Sequence, residues 1–256
     1  MPEALLETRG LGKTFGAVVA AEDVSVSVAA GEIVGVIGAN GAGKTTFCNM
    51  VTGYLTPDRG RILFRGTDIT GCTVGEATAA GIHRSFQIPQ LFPGLTVYEN
   101  LLLSVGVFGH RRPPWWKPLV RPEIQEAARR VMEQYRISDS AETRVDRLPQ
   151  GVRKLLDIAM AMVGGPAMIL LDEPTSGIST EEKFDVMGNV IDALRSSGAT
   201  VLFVEHDMDV VGRYADRVIA FREGRVLADG APQEVLENPA VIEHVVGRRP
   251  PRSSDA

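Results

Sequence analysis

The chain has 256 residues, 44% of them hydrophobic and 23% charged, and a formal net charge of -5. It is long enough for a full core, as one large domain or one domain with an inserted lobe, and its acidic balance leaves no general basic footprint for nucleic acid. The longest uninterrupted apolar runs, such as AMILL at 167–171, fall far short of the roughly 20 residues that span a bilayer. The N-terminal MPEALLETRG places Glu3 and Glu7 where a secretory signal needs basic residues, so the start reads as cytoplasmic. Cys48 and Cys72 lack metal or redox spacing and read as two buried thiols in a reducing compartment.

In chain order, EDVSVSVAAGE alternates with period two and predicts a strand. The next segment, GEIVGVIGANGAGKTTF at 31–47, joins a buried strand at 33–37 to a helix opened by Lys44, Thr45 and Thr46. Between them Gly38, Gly43, Lys44 and Thr45 spell G-x-x-x-x-G-K-[ST], the phosphate loop. Its glycines let backbone N–H groups turn inward around an anion, and the helix N-terminus adds partial positive charge. Lys44 can reach β and γ phosphates, and the Thr45 hydroxyl can ligate Mg²⁺. RGRILFRG predicts another strand, and TVGE from Thr73 and TVYE from Thr96 are capping boxes that start helices.

A helical lobe follows, in which EIQEAARRVMEQY places Ile124, Ala127, Ala128, Val131, Met132 and Tyr135 on one face. Within it, GHRRPPWWKPLVRP at 109–122 is a stiff loop. Its Trp115 and Trp116 suit contact with a permease or lipid headgroups, or local packing of a variable insert. RLPQGVRKLLDIAMAM at 147–162 reads either as a bland helix start or as a nucleotide-contacting segment that has lost side chains. AMILLDEP, at 167–174, is a strand without alternation, buried on both faces, followed at once by Asp172 and Glu173. Ligands sit beyond the carboxyl ends of such strands, which suits Asp172 to holding hydrated Mg²⁺ and Glu173 to activating a water. STEEKFDVMGNVIDAL opens on a capping box, Ser179 with Glu182, and turns Phe184, Met187, Val190, Ile191 and Leu194 inward. TVLFVEHDM adds a buried strand with His206 just past its end, suited to a γ-phosphate. RVIAFREGRVLADG predicts a hairpin turning at Glu223 and Gly224, expected to join the N-terminal strand and RGRILFRG in an antiparallel sheet beside a parallel core. No internal repeat is found.

Lys44, Asp172, Glu173 and His206 together point to nucleoside triphosphate hydrolysis. These residues give the chain a resemblance to the nucleotide-binding subunits of ATP-binding-cassette (ABC) transporters, from about Leu5 to about Gly247. The resemblance implies an α/β P-loop fold within a single ATP-binding domain over 1–247. A RecA-like core with an antiparallel β subdomain would take about 1–85 and 165–247, a helical subdomain about 88–162, and a disordered tail 248–256. It implies ATP and Mg²⁺ as ligands. Ala39, Asn40, Gly41, Ala42 and Thr46 would line the phosphates with Gly38, Gly43, Lys44 and Thr45. Phe15 falls where the family stacks an aromatic on adenine, and Gln87 at a loop that senses Mg²⁺ and water and faces the membrane partner. Ser179 replaces an Asp that usually crosses a dimer interface.

RSFQIPQLFPGLTVYENLLL, VEHDMDVV and ADGAPQEVLENPAVIEHVVG resemble the branched-chain amino acid importers more narrowly, with lipopolysaccharide exporters and urea or amide importers sharing many of these stretches. The implied partners are transmembrane permeases, a second ATPase subunit in a homo- or heterodimer and, indirectly, an extracytoplasmic solute-binding protein, at the cytoplasmic face of the membrane. A soluble cassette ATPase of DNA repair or translation would carry two cassettes, a coiled-coil insertion or zinc-ligating cysteines, and the sequence has none. A nucleotide-regulated module without turnover is at odds with Lys44, Asp172, Glu173 and His206. In the family, Leu148, Pro149, Gln150 and Gly151 would complete a partner's ATP site. Leu148 and Gly151 match the pattern, whereas Pro149 replaces Ser and Val152 replaces Gln. One hydroxyl bond to a charged phosphate is worth about 1.5–3 kcal/mol, so with a different ATPase subunit as partner the expectation is an unequal pair of sites.

Overall fold

A computed structural model describes residues 4–85, 91–108 and 121–246. The chain opens with β1 (Ala4–Phe15), β2 (Val18–Ala29), β3 (Ile33–Gly38), α1 (Lys44–Val51), β4 (Arg59–Phe64), β5 (Thr67–Asp68) and α2 (Val74–Ala80). It continues through β6 (Ile82–Ser85), α3 (Val97–Phe108), α4 (Pro122–Gln134), α5 (Gln150–Met162), β7 (Met168–Asp172), α6 (Lys183–Ser197) and β8 (Thr200–Val204). It closes with α7 (Met208–Tyr214), β9 (Arg217–Arg222), β10 (Arg225–Gly230), α8 (Pro232–Leu236) and α9 (Pro239–Val241), which runs into a π-helical segment over Ile242–Val246. Two compact units result, Met1–Ala80 with Leu202–Ala256, and Gly81–Val201. No helix among the described residues is long and apolar enough to cross a membrane.

In the first unit, β2, β1, β4 and β5 form an antiparallel sheet in that order. Its alternation is visible in β2, where Val24, Val26 and Val28 are buried and Ser25 and Ser27 exposed. β3, buried along its whole length, instead pairs in parallel with β9, from Val34 opposite Arg217 to Gly38 opposite Phe221. The β9–β10 hairpin turns at Glu223 (φ 51°) and Gly224 (φ 77°), the two positive φ values that a tight two-residue turn requires.

That pairing corrects the expected place of the hairpin, which belongs to the β3 sheet and not to the antiparallel one. The physical reason is that Val218–Phe221 are all buried, the pattern of a strand covered on both faces, while the half-exposed β10 lies at the edge. Cys48 is buried as expected, but Cys72 is only half-buried. Desolvation, with the Glu76 carboxylate beside it, raises the Cys72 thiol pKa. Of the predicted caps, Thr73 donates its hydroxyl to Glu76 and receives that residue's N–H.

In the second unit, β6 pairs in parallel with β7, from Ile82 opposite Met168 to Ser85 opposite Leu171. Thr96 and Glu99 exchange the bonds of a capping box before α3. On α4, Ile124, Ala128 and Met132 are buried with Tyr135 just beyond, so one apolar stripe sets the helix on its core. Ser179 Oγ accepts the Glu182 N–H at 3.3 Å, although regular helix begins only at Lys183. The inward face of α6 is buried at Met187, Val190, Ile191 and Leu194, with Phe184 half-buried.

Candidate functional site

The first unit carries the phosphate loop. Gly43 caps α1 in a left-handed conformation (φ 103°, ψ -2°), and a Cβ there would stand 2.6 Å from the Ala20 carbonyl oxygen. A Cβ on Gly38 would stand 2.7 Å from the Phe221 carbonyl oxygen. The motif glycines are therefore demanded by close backbone approach from β2 and β9. Gly224 donates its N–H to the Ala42 carbonyl at 2.9 Å and so ties the loop to the hairpin turn. The first intrahelical bond of α1 runs from the Phe47 N–H to Gly43 at 2.9 Å, which leaves the earlier N–H groups of the turn without intrahelical acceptors.

Lys44 is buried and donates to the Gly38 and Ala39 carbonyls at 2.6 and 3.1 Å, so its ammonium lies inside the loop. Residues 39–42 and 221–223 with His244 line a cavity of about 210 Å³ against the loop. The Thr45 hydroxyl is exposed at the start of α1, a hard oxygen donor of the kind Mg²⁺ takes.

Phe15 stands half exposed at the end of β1, with Val18 and Val19 also exposed across the turn. Asp58 braces this ledge by accepting Lys13 Nζ at 2.6 Å and the Thr14 N–H at 2.8 Å. Those bonds hold the Asp58 carboxyl below its ordinary pKa. Lys13 also lies 5.8 Å from the centre of the Phe15 ring. His206 is exposed after β8. Next to it, Asp207 accepts the N–H groups of Asp209 and Val210 and caps α7, which holds the chain where His206 projects.

The second unit carries the acidic residues. Asp172 ends β7, and Glu173 follows at φ 46°, a strained conformation for a non-glycine residue of the sort that recurs at functional sites. Around Asp172 lie groups that reading the sequence did not single out. Arg84 Nη2 bonds Asp172 Oδ2 at 2.6 Å, and Lys154 Nζ lies 3.5 Å from the Asp172 carbonyl oxygen. Ser85 Oγ donates to Asp157 Oδ2 at 2.6 Å. Lys154 and Asp157 are buried on α5 among Leu155, Leu156 and Ile158. Two charged residues within an apolar helix face were the available signal, because buried charges are kept only with partners.

The 148–151 segment begins α5. Leu148 is buried and Pro149 is exposed at the cap position (φ -56°, ψ 152°), one place earlier than the first helical turn, without a side-chain cap bond. Gly151 is buried, and a Cβ there would meet Val186 Cγ2 at 2.8 Å. Gln150 is exposed. Gln87, Trp115, Trp116 and the tail from Pro250 lie outside the described residues.

Residues 21–176 match the ABC transporter family model. The chain belongs to the ABC transporter family. The cassette is 35% identical over 248 residues to a probable branched-chain amino acid transport ATP-binding protein, LivG, of Archaeoglobus fulgidus, with 95% of each chain covered. It is 32% identical to the high-affinity branched-chain amino acid transport ATP-binding protein BraF of Pseudomonas aeruginosa, with 96% of this chain and 99% of that one covered. Among solved structures, the ADP conformation of an ATP-binding cassette of an ABC transporter aligns with a TM-score of 0.83 at 33% identity, over 94% of this chain and 98% of that one. A nucleotide-free cassette aligns with a TM-score of 0.82 at 33% identity over the same shares. The fold is that of the ABC ATPases, and the cassette is an ATP-hydrolysing enzyme.

Proposed function

We propose that the cassette energises an importer of branched-chain amino acids from the cytoplasmic face of the membrane. It would work with transmembrane permease subunits and a second ATPase subunit, and indirectly with an extracytoplasmic binding protein. The observation that carries this reading is identity of 35% and 32% with branched-chain amino acid transport ATP-binding proteins over almost the whole chain.

In the first unit, Phe15 offers a face for adenine, and the backbone of residues 38–46 with Lys44 takes the phosphates. Lys44 exchanges its two loop carbonyls for phosphate oxygens, which are stronger acceptors because they are charged. His206 contacts the γ-phosphate. In the second unit, Glu173 accepts the proton of the attacking water. The water oxygen bonds to the γ-phosphorus as the bond to the bridging β,γ oxygen breaks, leaving ADP and phosphate. Mg²⁺, when bound, supplies positive charge to the phosphate oxygens, and Thr45, Asp172 and Gln87 are its proposed oxygen donors. Leu148, Pro149, Gln150 and Gly151 face a partner's ATP, and where that partner is a different ATPase subunit the absent hydroxyl at 149 makes that the poorer site of the pair.

The test is ATP-dependent uptake of leucine, isoleucine and valine into vesicles holding the cassette with its permeases and binding protein. Uptake that requires ATP is expected. Steady ATP hydrolysis with no branched-chain amino acid uptake would overturn the cargo assignment.

A further inference from the structure

Asp172 does not meet the cation with a free carboxylate. Parallel register sets Arg84 of β6 opposite Leu170 of β7, and two residues further along β7 returns to the same face at Asp172. The Arg84 guanidinium therefore reaches the carboxylate diagonally and holds Oδ2 at 2.6 Å. The Arg84 side chain is 8% exposed and that of Asp172 21%, so the pair is sheltered from the screening that weakens surface ion pairs. Lys154 Nζ, beside the Asp172 carbonyl at 3.5 Å, steadies the backbone at the same point.

We propose that Arg84 is a positioning residue that restricts Asp172 to one-oxygen contact with a divalent cation and so favours Mg²⁺ over Ca²⁺. With Oδ2 engaged by a fixed positive charge, Oδ1 remains for the cation or its water. Mg²⁺ is small, keeps much of its water and takes carboxylates through single oxygens, whereas Ca²⁺ accepts both oxygens of one carboxylate in a larger, looser shell. The arrangement penalises the two-oxygen mode that only Ca²⁺ exploits. Arginine suits this task because its planar guanidinium keeps its charge and its geometry.

The inference rests on the reading of Asp172 as the cation-holding group, and the experiment separates the two. Equilibrium binding of ATP to the full chain is measured with Mg²⁺ or Ca²⁺ as the sole divalent cation, beside thermal unfolding of each variant. In Arg84→Gln the ratio of Ca²⁺-supported to Mg²⁺-supported affinity is expected to rise by roughly tenfold, the scale of one charge-assisted contact. Where that variant does not fold, Arg84→Lys serves, with a smaller rise expected because a compact ammonium holds the carboxylate less rigidly. An unchanged ratio in the folded variant overturns the proposal, even if its unfolding midpoint drops, since that pattern means a purely structural ion pair. Asp172→Asn is expected to weaken cation-dependent binding. If it does not, the reading beneath the proposal fails, whereas an effective Asp172→Asn with an unchanged ratio in Arg84→Gln sinks the proposal alone.

Discussion

The helices α1 and α5 both begin without a side-chain cap bond, yet their starts are held in opposite ways. At α1 neighbouring backbone closes on the helix start so tightly that a Cβ on Gly43 would stand 2.6 Å from the Ala20 carbonyl oxygen. At α5 the close approach falls on Gly151, while the side chain at 149 is exposed. The first start therefore tolerates no departure from its motif, and the second keeps its helix after losing the Ser of the family pattern. Packing thus fixes the residue type at Gly43 and Gly151 and leaves the side chain at 149 open to solvent.

The largest effect belongs to chemistry that neither helix start supplies. Glu173→Gln should lower single-turnover ATP hydrolysis about 10²–10⁴-fold, the range of general-base catalysis, with ATP binding retained in equilibrium dialysis. Loss of binding with hydrolysis per bound ATP unchanged would remove Glu173 from the chemical step. Gly43→Ala tests the rigid start. Its positive φ and the Ala20 carbonyl should cost about 1–3 kcal/mol in urea unfolding and abolish ATP binding. A stable variant that binds ATP would show that the loop is more forgiving than its geometry.

Pro149→Ser tests the tolerant start. A cap acceptor should stabilise the second unit by about 1 kcal/mol, and hydrolysis by the assembled transporter should rise up to roughly tenfold if 149 faces the partner's phosphate. Greater stability with unchanged hydrolysis would confine residue 149 to capping.

The smallest effect tests whether the helical lobe, away from both starts, has a weak point of its own. Tyr135 Oη is buried with no hydrogen-bond partner among the described residues, and desolvation raises its pKa well above the usual phenol value. With the folded pKa above the unfolded one, stability from the neutral phenol is fully present below about pH 10 and lost as pH rises through the alkaline range. Tyr135→Phe should leave neutral-pH stability unchanged or raised by under about 1 kcal/mol, and should flatten the alkaline loss in unfolding curves above pH 10. A loss as steep as in the unsubstituted chain would place the alkaline sensitivity elsewhere.

The phosphate loop was fully legible because its strand, glycines, Lys44 and helix start lie within 17 residues, 31–47, and their function depends on local backbone conformation. The buried strand residues at 33–37, 168–171 and 201–204 were legible for a related reason, since unbroken apolar runs have no polar face to offer water. The β9–β10 hairpin shows where this stops. Its turn was readable from Glu223 and Gly224, but its sheet was not, because a turn fixes its own two strands and says nothing of a third.

The sequence by itself determined the phosphate-loop backbone, the acidic strand end, the capping boxes at Thr73 and Thr96 and the departures at Pro149 and Val152. Tertiary structure alone decided that β9 lies beside β3, and that Arg84 and Lys154 converge on Asp172 while Ser85 meets Asp157. Parallel pairing sets that register across 88 residues between Arg84 and Asp172. Local propensity acts over a helical turn or a hairpin, whereas a pairing between distant segments is chosen by what the packed sheet and helices together can bury.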